Sequence, residues 1–251
     1  MGPPVYMYYR LTNFYQNHRR YVQSLDLEQL KGKAQDNNSI SSGTCDKITV
    51  DEATKKAYYP CGLIANSRFN DSIGEPLFVG GQEGSWYNMT KKGIAWQSDK
   101  ELIKKTEYDP SQVVPPPNWA VFNGTYTAQN MPNLEEDEDF MVWMRTAGLP
   151  DFSKLSRRND ADKMAYGMYE LNITDCKLTP LVSPLLQRWL IFESVFPVLE
   201  YAGTKSILIS TRTVLGGKNP FMGIAYVVVG GICVLMGALF TVAYLIRPRY
   251  D

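Results

Sequence analysis

The sequence predicts a mainly β fold, in which an antiparallel β-sandwich-like domain with long loops is followed by one C-terminal transmembrane helix. Three observations support this class. The 251-residue chain contains 15 prolines, 19 glycines and 16 tyrosines, a composition typical of a loop-rich and β-rich body. Its apolar runs before residue 220 are short and lie between turn-rich segments. One much longer apolar run stands near the C-terminus.

That long run, Phe221–Ile246, is the predicted transmembrane helix. It has 26 residues and no charged side chain. A helix rises by about 1.5 Å per residue, so this run would measure about 39 Å, enough to cross a hydrocarbon core of roughly 30 Å. A buried helix of a soluble core rarely continues this far without a polar residue.

The flanking charges predict the orientation of the helix. Arg247 and Arg249 follow it directly, and Lys218 precedes it. The small excess of basic side chains on the C-terminal side predicts a cytosolic tail at 247–251. Residues 1–220 then form an exoplasmic or lumenal domain.

Translocation of such a domain needs a membrane-directing segment. Residues 1–25 contain no apolar stretch and no small-residue cleavage site, and Tyr6 stands where a myristoylation signal needs Ser or Thr. We therefore expect a translocating segment upstream of Met1.

The sequon N-x-S/T is enriched before the helix. With 14 asparagines and 30 serines plus threonines, chance predicts about 1.7 sequons, and the chain has five. This enrichment predicts a glycosylated lumenal domain. The five asparagines are Asn37, Asn70, Asn88, Asn123 and Asn172.

The cysteines fit an oxidising compartment in part. Cys45 and Cys61 enclose a short loop, and its closure by a disulfide would stabilise the fold by about 3 kcal/mol in the entropic description. We predict that pair. Cys176 is left over, and Cys233 lies within the apolar run, where it packs as a small apolar residue.

Several segments of the body allow two interpretations. The aromatic and basic segment 5–22 fits either a membrane-interface segment or a strand and short helix packed on the core. The acidic run 134–139 fits a solvated loop better than a calcium site, because it lacks the D-x-D-x-D-G pattern. Residues 140–145 alternate in a way that favours a strand, and 23–60 are expected to form an exposed loop closed by the disulfide.

Composition and motifs exclude several function classes. Lys+Arg 26 and Asp+Glu 26 give a net charge of zero, which argues against nucleic-acid binding. His18 is the single histidine, so His-rich metal sites are excluded and few routes to His-based catalysis remain. No nucleotide-binding, hydrolase or metalloprotease motif occurs. We expect no catalytic residues, no metal and no cofactor, although carboxylates in the acidic run leave a membrane-anchored hydrolase as a weak alternative.

Six strings, in one order along the chain, resemble a single family. They are PVYMYYRLTNFYQNHRRYV at 4–22, YYPCGLIANSRFND at 58–71, KKGIAW at 91–96, EDFMVWMRTAGLP at 138–150, GTKS at 203–206 and GGKNPFMGIAY at 216–226. Together they resemble the ligand-effect-modulator type family, the β-subunits of type IV P-type ATPase phospholipid flippases.

The resemblance implies a function without chemistry. Members of the family have two membrane helices joined by a glycosylated, disulfide-bonded, mostly β exoplasmic domain. Such a subunit pairs with the catalytic ATPase, lets it leave the endoplasmic reticulum and supports lipid transport from the exoplasmic to the cytosolic leaflet. The implied partners are the ATPase and membrane lipids, and the implied locations are the endoplasmic reticulum, Golgi, endosome or plasma membrane.

The sequence departs from the family pattern in two places. The family's N-terminal tail and first helix do not precede the 4–22 string, which would explain the expected translocating segment. Residues 176–195 intervene before FPVLEYAGTKS, and we interpret them as an insertion or a gene-model artefact that carries Cys176.

A subunit of this kind acts by binding. Gly223, Gly230 and Gly237 recur every seven residues, nearly two helical turns, and so share one helix face. Small residues allow close helix approach in lipid, which predicts a packing seam for another transmembrane helix. The alternative function is a single-pass membrane glycoprotein that acts as a receptor or lectin.

Overall fold

The computed structural model describes residues 1–79, 84–174, 196–211 and 221–246. The chain divides into two units, Met1–Thr211 and Arg212–Asp251. The first unit, called the body below, contains all the strands and six of the seven α-helices in the described ranges. The second contains the C-terminal helix.

Ten strands and seven α-helices are described, with two short 3₁₀ helices. The strands are β1 (Val5–Leu11), β2 (Ala57–Tyr58), β3 (Ser72–Ile73), β4 (Leu77–Phe78), β5 (Ser85–Trp86), β6 (Val113–Val114), β7 (Phe152–Asn159), β8 (Tyr169–Glu170), β9 (Ile173–Thr174) and β10 (Lys205–Ser210). The helices are α1 (Arg19–Gln23), α2 (Leu27–Leu30), α3 (Asn37–Ser42), α4 (Leu63–Asn66), α5 (Gln97–Leu102), α6 (Glu138–Met144) and α7 (Phe221–Ile246), with 3₁₀ helices at Ala120–Phe122 and Leu199–Tyr201.

The largest described sheet has three antiparallel strands in the order β10-β1-β7. Its central strand β1 is paired on both edges and is buried along almost its whole length. Tyr8 lies opposite Leu208 on one side and Leu155 on the other, and the register with β7 shifts between Met7 and Tyr8. The smaller sheets are β2-β6, which is parallel, and the antiparallel β3-β9 and β5-β4-β8.

The body has two hydrophobic clusters that share α6. One cluster surrounds β1 and includes Trp143, and the other surrounds Cys45–Cys61 and includes Phe140 and Met141. The Trp143 indole N–H donates to the Ile64 carbonyl at 2.7 Å. The Trp119 indole N–H donates to the Ala65 carbonyl at 2.8 Å, so α4 receives one tryptophan from each cluster.

The predicted fold class needs correction. In the described residues helices and strands are mixed, rather than mainly β, and most strands are only two residues long. The sandwich stays a prediction. Residues 23–60 are not one exposed loop, because α2, α3 and β2 form there and bury Leu30 and Ile40.

The predicted strand at 140–145 is wrong, since 138–144 form α6. The Asp137 carboxylate accepts from the Phe140 backbone N–H at 3.0 Å and so caps the helix. Because α6 is buried by both clusters, its apolar residues lie on more than one face, and the sequence shows no 3.6-residue period there.

Of the two interpretations of segment 5–22, the structure supports a strand and a short helix packed on the core. It forms strand β1 and the start of α1, and Tyr6, Tyr8 and Tyr9 are buried in the core. Tyr9 stacks on Phe69 with ring centroids 4.1 Å apart. The chain turns at Ala202, which is in the left-handed conformation at φ 54°.

The C-terminal helix has the bounds that the sequence predicts. Helix α7 covers Phe221–Ile246, and its stretch Gly223–Ile246 is long and apolar enough to span a membrane. Residues 176–195 with Cys176, the lysine and arginines that flank the helix, and the tail 247–251 lie outside the described residues.

Candidate interaction and modification sites

The predicted disulfide is present in the core. Cys45 and Cys61 are bonded, with Cα atoms 5.8 Å apart, and both are buried. Two buried polar side chains hold the backbone on either side. Ser24 Oγ donates to the Cys45 carbonyl at 2.6 Å, and Gln29 Oε1 accepts from the Cys61 N–H at 2.9 Å. The disulfide ties the chain after α3 to the chain before α4, and the Gln29 hydrogen bond ties α2 to the same segment.

All five sequon asparagines are exposed, as glycan attachment requires. Their surroundings differ. The Asn37 amide donates to the Lys55 carbonyl at 2.7 Å, and Asn123 ends a 3₁₀ helix in the left-handed conformation at φ 49°. Asn172 precedes β9, and Asn70 and Asn88 lie in connecting segments.

The Asn70 sequon lies beside a buried ion pair. Asp71, its middle residue, has a side chain only 1% exposed and pairs with Lys205 of β10. The Asp71 carboxylate also accepts from the Phe196 N–H at 3.0 Å. This pair connects the chain before β3 with an edge of the main sheet, so the sequon is placed on a fixed part of the body.

The second half of the acidic run, 137–139, is not a solvated loop, whereas Glu135 and Glu136 are exposed in the turn before it. Asp137 pairs with Arg68 at 2.7 Å, and Asp139 pairs with Lys91 at 2.6 Å. Glu138 is 13% exposed and pairs with Lys100 at 2.7 Å. Asp137 therefore caps α6, and Glu138 and Asp139 lie in its first turn, where acidic side chains also favour the helix dipole.

Glu138 has the most contacts among these acids. Its Oε2 accepts from the Ile94 and Ala95 backbone N–H groups at 2.8 and 2.9 Å. Burial raises the pKa of this carboxyl, but the hydrogen bonds from Lys100 and the backbone outweigh burial and lower the pKa below its ordinary value. Together with the Lys91–Asp139 pair, this carboxylate holds the KKGIAW string to α6.

Lys154 is a buried lysine on β7. Its Nζ donates to the carbonyls of Val142 at 3.0 Å and Trp143 at 3.3 Å, and also to that of Arg145. Burial, with the nearby Arg145 charge, lowers the pKa of Lys154 to about 7. These carbonyls are at the end of α6, so Lys154 satisfies acceptors that the helix leaves free. This role could not be predicted from the sequence, because the contacts depend on the tertiary fold.

Three loops meet at one end of the main sheet. Phe14 N–H donates to the Pro150 carbonyl at 3.0 Å, Asn17 donates to Gly148 at 3.0 Å, and Asn13 donates to the Tyr201 carbonyl. The large exposed apolar side chains of these loops are Tyr15, Leu149 and Leu199.

The three glycines predicted to form a seam lie on α7. Gly223, Gly230 and Gly237 are within one continuous helix, and a Cβ added at any of them would have nothing within 4 Å in the described residues. Cys233 is also exposed on this helix. The seam itself stays a prediction.

Comparison with known proteins decides the family. The sequence profile described as "LEM3 (ligand-effect modulator 3) family / CDC50 family" matches residues 1–250. The chain belongs to this family.

Curated relatives carry matching names. The chain is 44% identical over 245 residues to "Phospholipid-transporting ATPase accessory subunit CRF1" of Saccharomyces cerevisiae, covering 97% of this chain and 56% of the relative. It is 42% identical over 257 residues to "Phospholipid-transporting ATPase accessory subunit CDC50" of Chaetomium thermophilum, covering 99% and 58%. It is 38% identical over 257 residues to "Cell cycle control protein 50A" of Bos taurus, covering 95% and 63%. The chain thus spans less than two thirds of the length of these relatives.

Proposed function

We propose that this LEM3/CDC50-family chain acts as the non-catalytic accessory subunit of a phospholipid-transporting P-type ATPase, a flippase. The observation that carries the proposal is the family match over residues 1–250, together with the accessory-subunit names of its relatives. The structure is consistent with a role in binding. In the body, the acidic residues of the 137–139 run form structural ion pairs with basic partners.

The proposal is tested by co-purification. The full-length protein that contains this chain is tagged, expressed in its native cells and isolated in mild detergent. We expect a polytopic ATPase of the P-type class to co-purify in near-equal amount and to lose lipid-stimulated ATP hydrolysis when the subunit is removed. Recovery of the glycoprotein without an ATPase would refute the proposal and favour the receptor or lectin alternative.

The proposed topology places residues 1–220 on the exoplasmic side and 247–251 in the cytosol. Its support is the uncharged helix α7 and the exposure of all five sequon asparagines. Under this topology Asn37, Asn70, Asn88, Asn123 and Asn172 are candidate glycosylation sites. Digestion with peptide-N-glycosidase should lower the apparent mass, and an unchanged mass would contradict the topology.

The same topology fits a role in export of the ATPase from the endoplasmic reticulum. We expect the ATPase to stay in that compartment when the subunit is depleted, since export would require the assembled pair. Microscopy of a tagged ATPase measures this. If the ATPase reached the Golgi or the cell surface normally without the subunit, the role of the subunit would be restricted to the transport cycle.

The proposed contact with another transmembrane helix is the glycine seam of α7. Leucine at Gly230 would fill the face that a neighbouring helix approaches. We expect Gly230→Leu to reduce ATPase co-purification several-fold. Gly231→Leu is the matched control, because it adds the same side chain at almost the same depth but about 100° around the helix. Equal effects of the two variants would exclude a directional seam.

A further inference from the structure

A surface cleft of about 410 Å³ lies between the β3-β9 pair and the end of β5. Its lining residues are Ser72, Gly74, Glu75, Trp86 and Asn172. Trp86 is 58% exposed, a large apolar ring left open to solvent. Asn172 is the sequon asparagine that lines this cleft.

Backbone pairing fixes the two sides of the cleft. Ile73 pairs with Ile173, and the Gly74 N–H donates to the Asn172 carbonyl at 2.8 Å. A Cβ at Gly74 would lie only 2.9 Å from that carbonyl, so a glycine lets the two segments approach this closely. Trp86 pairs with Leu77 of the neighbouring sheet and so stands on the opposite side.

The side chains of the cleft match one class of ligand. In the described residues the Asn172 side chain makes no hydrogen bond, so its amide is free to carry a substituent. N-acetylglucosamine has an apolar C–H face, which stacks on an indole ring. Its acetamide N–H and its hydroxyls donate hydrogen bonds, which a carboxylate accepts. Trp86 and Glu75 supply these two groups, and Glu75 is itself oriented by Arg157 at 3.5 Å.

We propose that the cleft holds the first N-acetylglucosamine of a glycan on Asn172, stacked on Trp86. The inference rests on the lumenal location given under the proposed function. The attachment bond forms when Asn172 Nδ2 loses one proton and displaces a lipid diphosphate from C1 of the sugar of a lipid-linked oligosaccharide. The bound sugar then ties β9 to β5, so this glycan stabilises the body as an added piece of its surface.

The inference is specific to this sequon. The Asn37 amide is already bonded to the Lys55 carbonyl, and neither Asn37 nor Asn123 lines this cleft. A glycan there would extend into solvent. Removing the Asn172 glycan should therefore lower stability in a way that depends on Trp86.

A double-mutant cycle tests this dependence. The full chain is expressed in eukaryotic cells as wild type, Trp86→Ala, Asn172→Gln and the double variant, and urea unfolding is followed in detergent. We expect Trp86→Ala to raise the unfolding equilibrium constant about three- to tenfold when Asn172 carries its glycan, and to change it little in the Asn172→Gln background. Trp96→Ala is the matched control, since Trp96 is 57% exposed and does not line the cleft. Its effect should be equal in both backgrounds.

Enzymatic trimming covers the case in which Asn172→Gln does not fold. An endoglycosidase that leaves one N-acetylglucosamine on each asparagine should preserve the difference in stability between wild type and Trp86→Ala. Peptide-N-glycosidase, which removes the whole glycan, should abolish this difference. The inference would be overturned if the effects of Trp86→Ala and Asn172→Gln on stability were additive. It would also be overturned if the stability difference between wild type and Trp86→Ala survived complete removal of the glycans. Mass spectrometry separates the remaining cases. A bare Asn172 beside other glycosylated sequons refutes this inference alone, whereas five bare sequons refute the lumenal topology as well.

Discussion

Glu138 provides the sharpest test of how the body is held together. Its carboxylate accepts two backbone N–H groups from Ile94 and Ala95 and pairs with Lys100, and it is 13% exposed. Each hydrogen bond to a charged group contributes about 1.5–3 kcal/mol, and the partly exposed Lys100 pair adds about 1 kcal/mol or less. Glu138→Ala leaves both N–H groups without this acceptor, so we expect a loss of about 4 kcal/mol in the free energy of unfolding. Glu138→Gln keeps an acceptor oxygen without the charge, and we expect about 2 kcal/mol.

Urea unfolding followed by tryptophan fluorescence measures these losses. Glu136→Gln is the control, because Glu136 is exposed in the same acidic run and should change stability by less than about 0.5 kcal/mol. The pKa of Glu138 is lowered in the folded state, so its contribution is present above the ordinary carboxyl pKa and is lost as the pH falls. The difference between wild type and Glu138→Gln should therefore shrink below about pH 4.5. A Glu138→Gln variant as stable as the Glu136 control at pH 7 would refute the reasoning.

Three further predictions concern covalent and ionic links within the body. Replacing Cys45 and Cys61 together with serine should lower the free energy of unfolding by about 3 kcal/mol, and a reductant should then have no further effect on the variant, as thermal denaturation with and without reductant would show. The pKa of Lys154 is about 7 in the folded state and higher in the unfolded state, so the free energy of unfolding should rise from pH 7 to 9 by at most about 1.4 kcal/mol per pH unit. Lys154→Met should flatten this rise. An unchanged slope in the variant would contradict the assignment of the rise to Lys154. Asp71→Asn preserves the Asn70 sequon but breaks the buried pair with Lys205, so we expect a loss of about 3 kcal/mol with an unchanged glycan mass, measured by unfolding and by mass spectrometry.

The features that the sequence predicted correctly depend on local information. Helix α7 follows from one uncharged run, and the Cys45–Cys61 bond follows from two cysteines close in sequence. The family could be predicted from six strings in a fixed order, because matching residues indicate a family whatever conformation they adopt. These inferences need no knowledge of how distant segments pack.

The features that the sequence missed depend on distant contacts. Gln29 and Lys154 are buried polar side chains, and their acceptors and donors are known only from the fold. The strand predicted at 140–145 failed for the same reason, since α6 is buried on more than one face and shows no helical period. The short strands, such as Ser72–Ile73, are set by their partners rather than by their own propensity.

Helix α6 explains why a seven-residue element matters to the whole body. Phe140 and Met141 belong to the cluster around the disulfide, whereas Trp143 belongs to the cluster around β1. Its N-terminal turn is held by acidic pairs and its C-terminal carbonyls accept hydrogen bonds from Lys154, so polar side chains fix both ends. Because both clusters pack on this one helix, loosening either end should weaken both together. We therefore expect the body to unfold as one unit and to keep the parts of its surface in fixed positions.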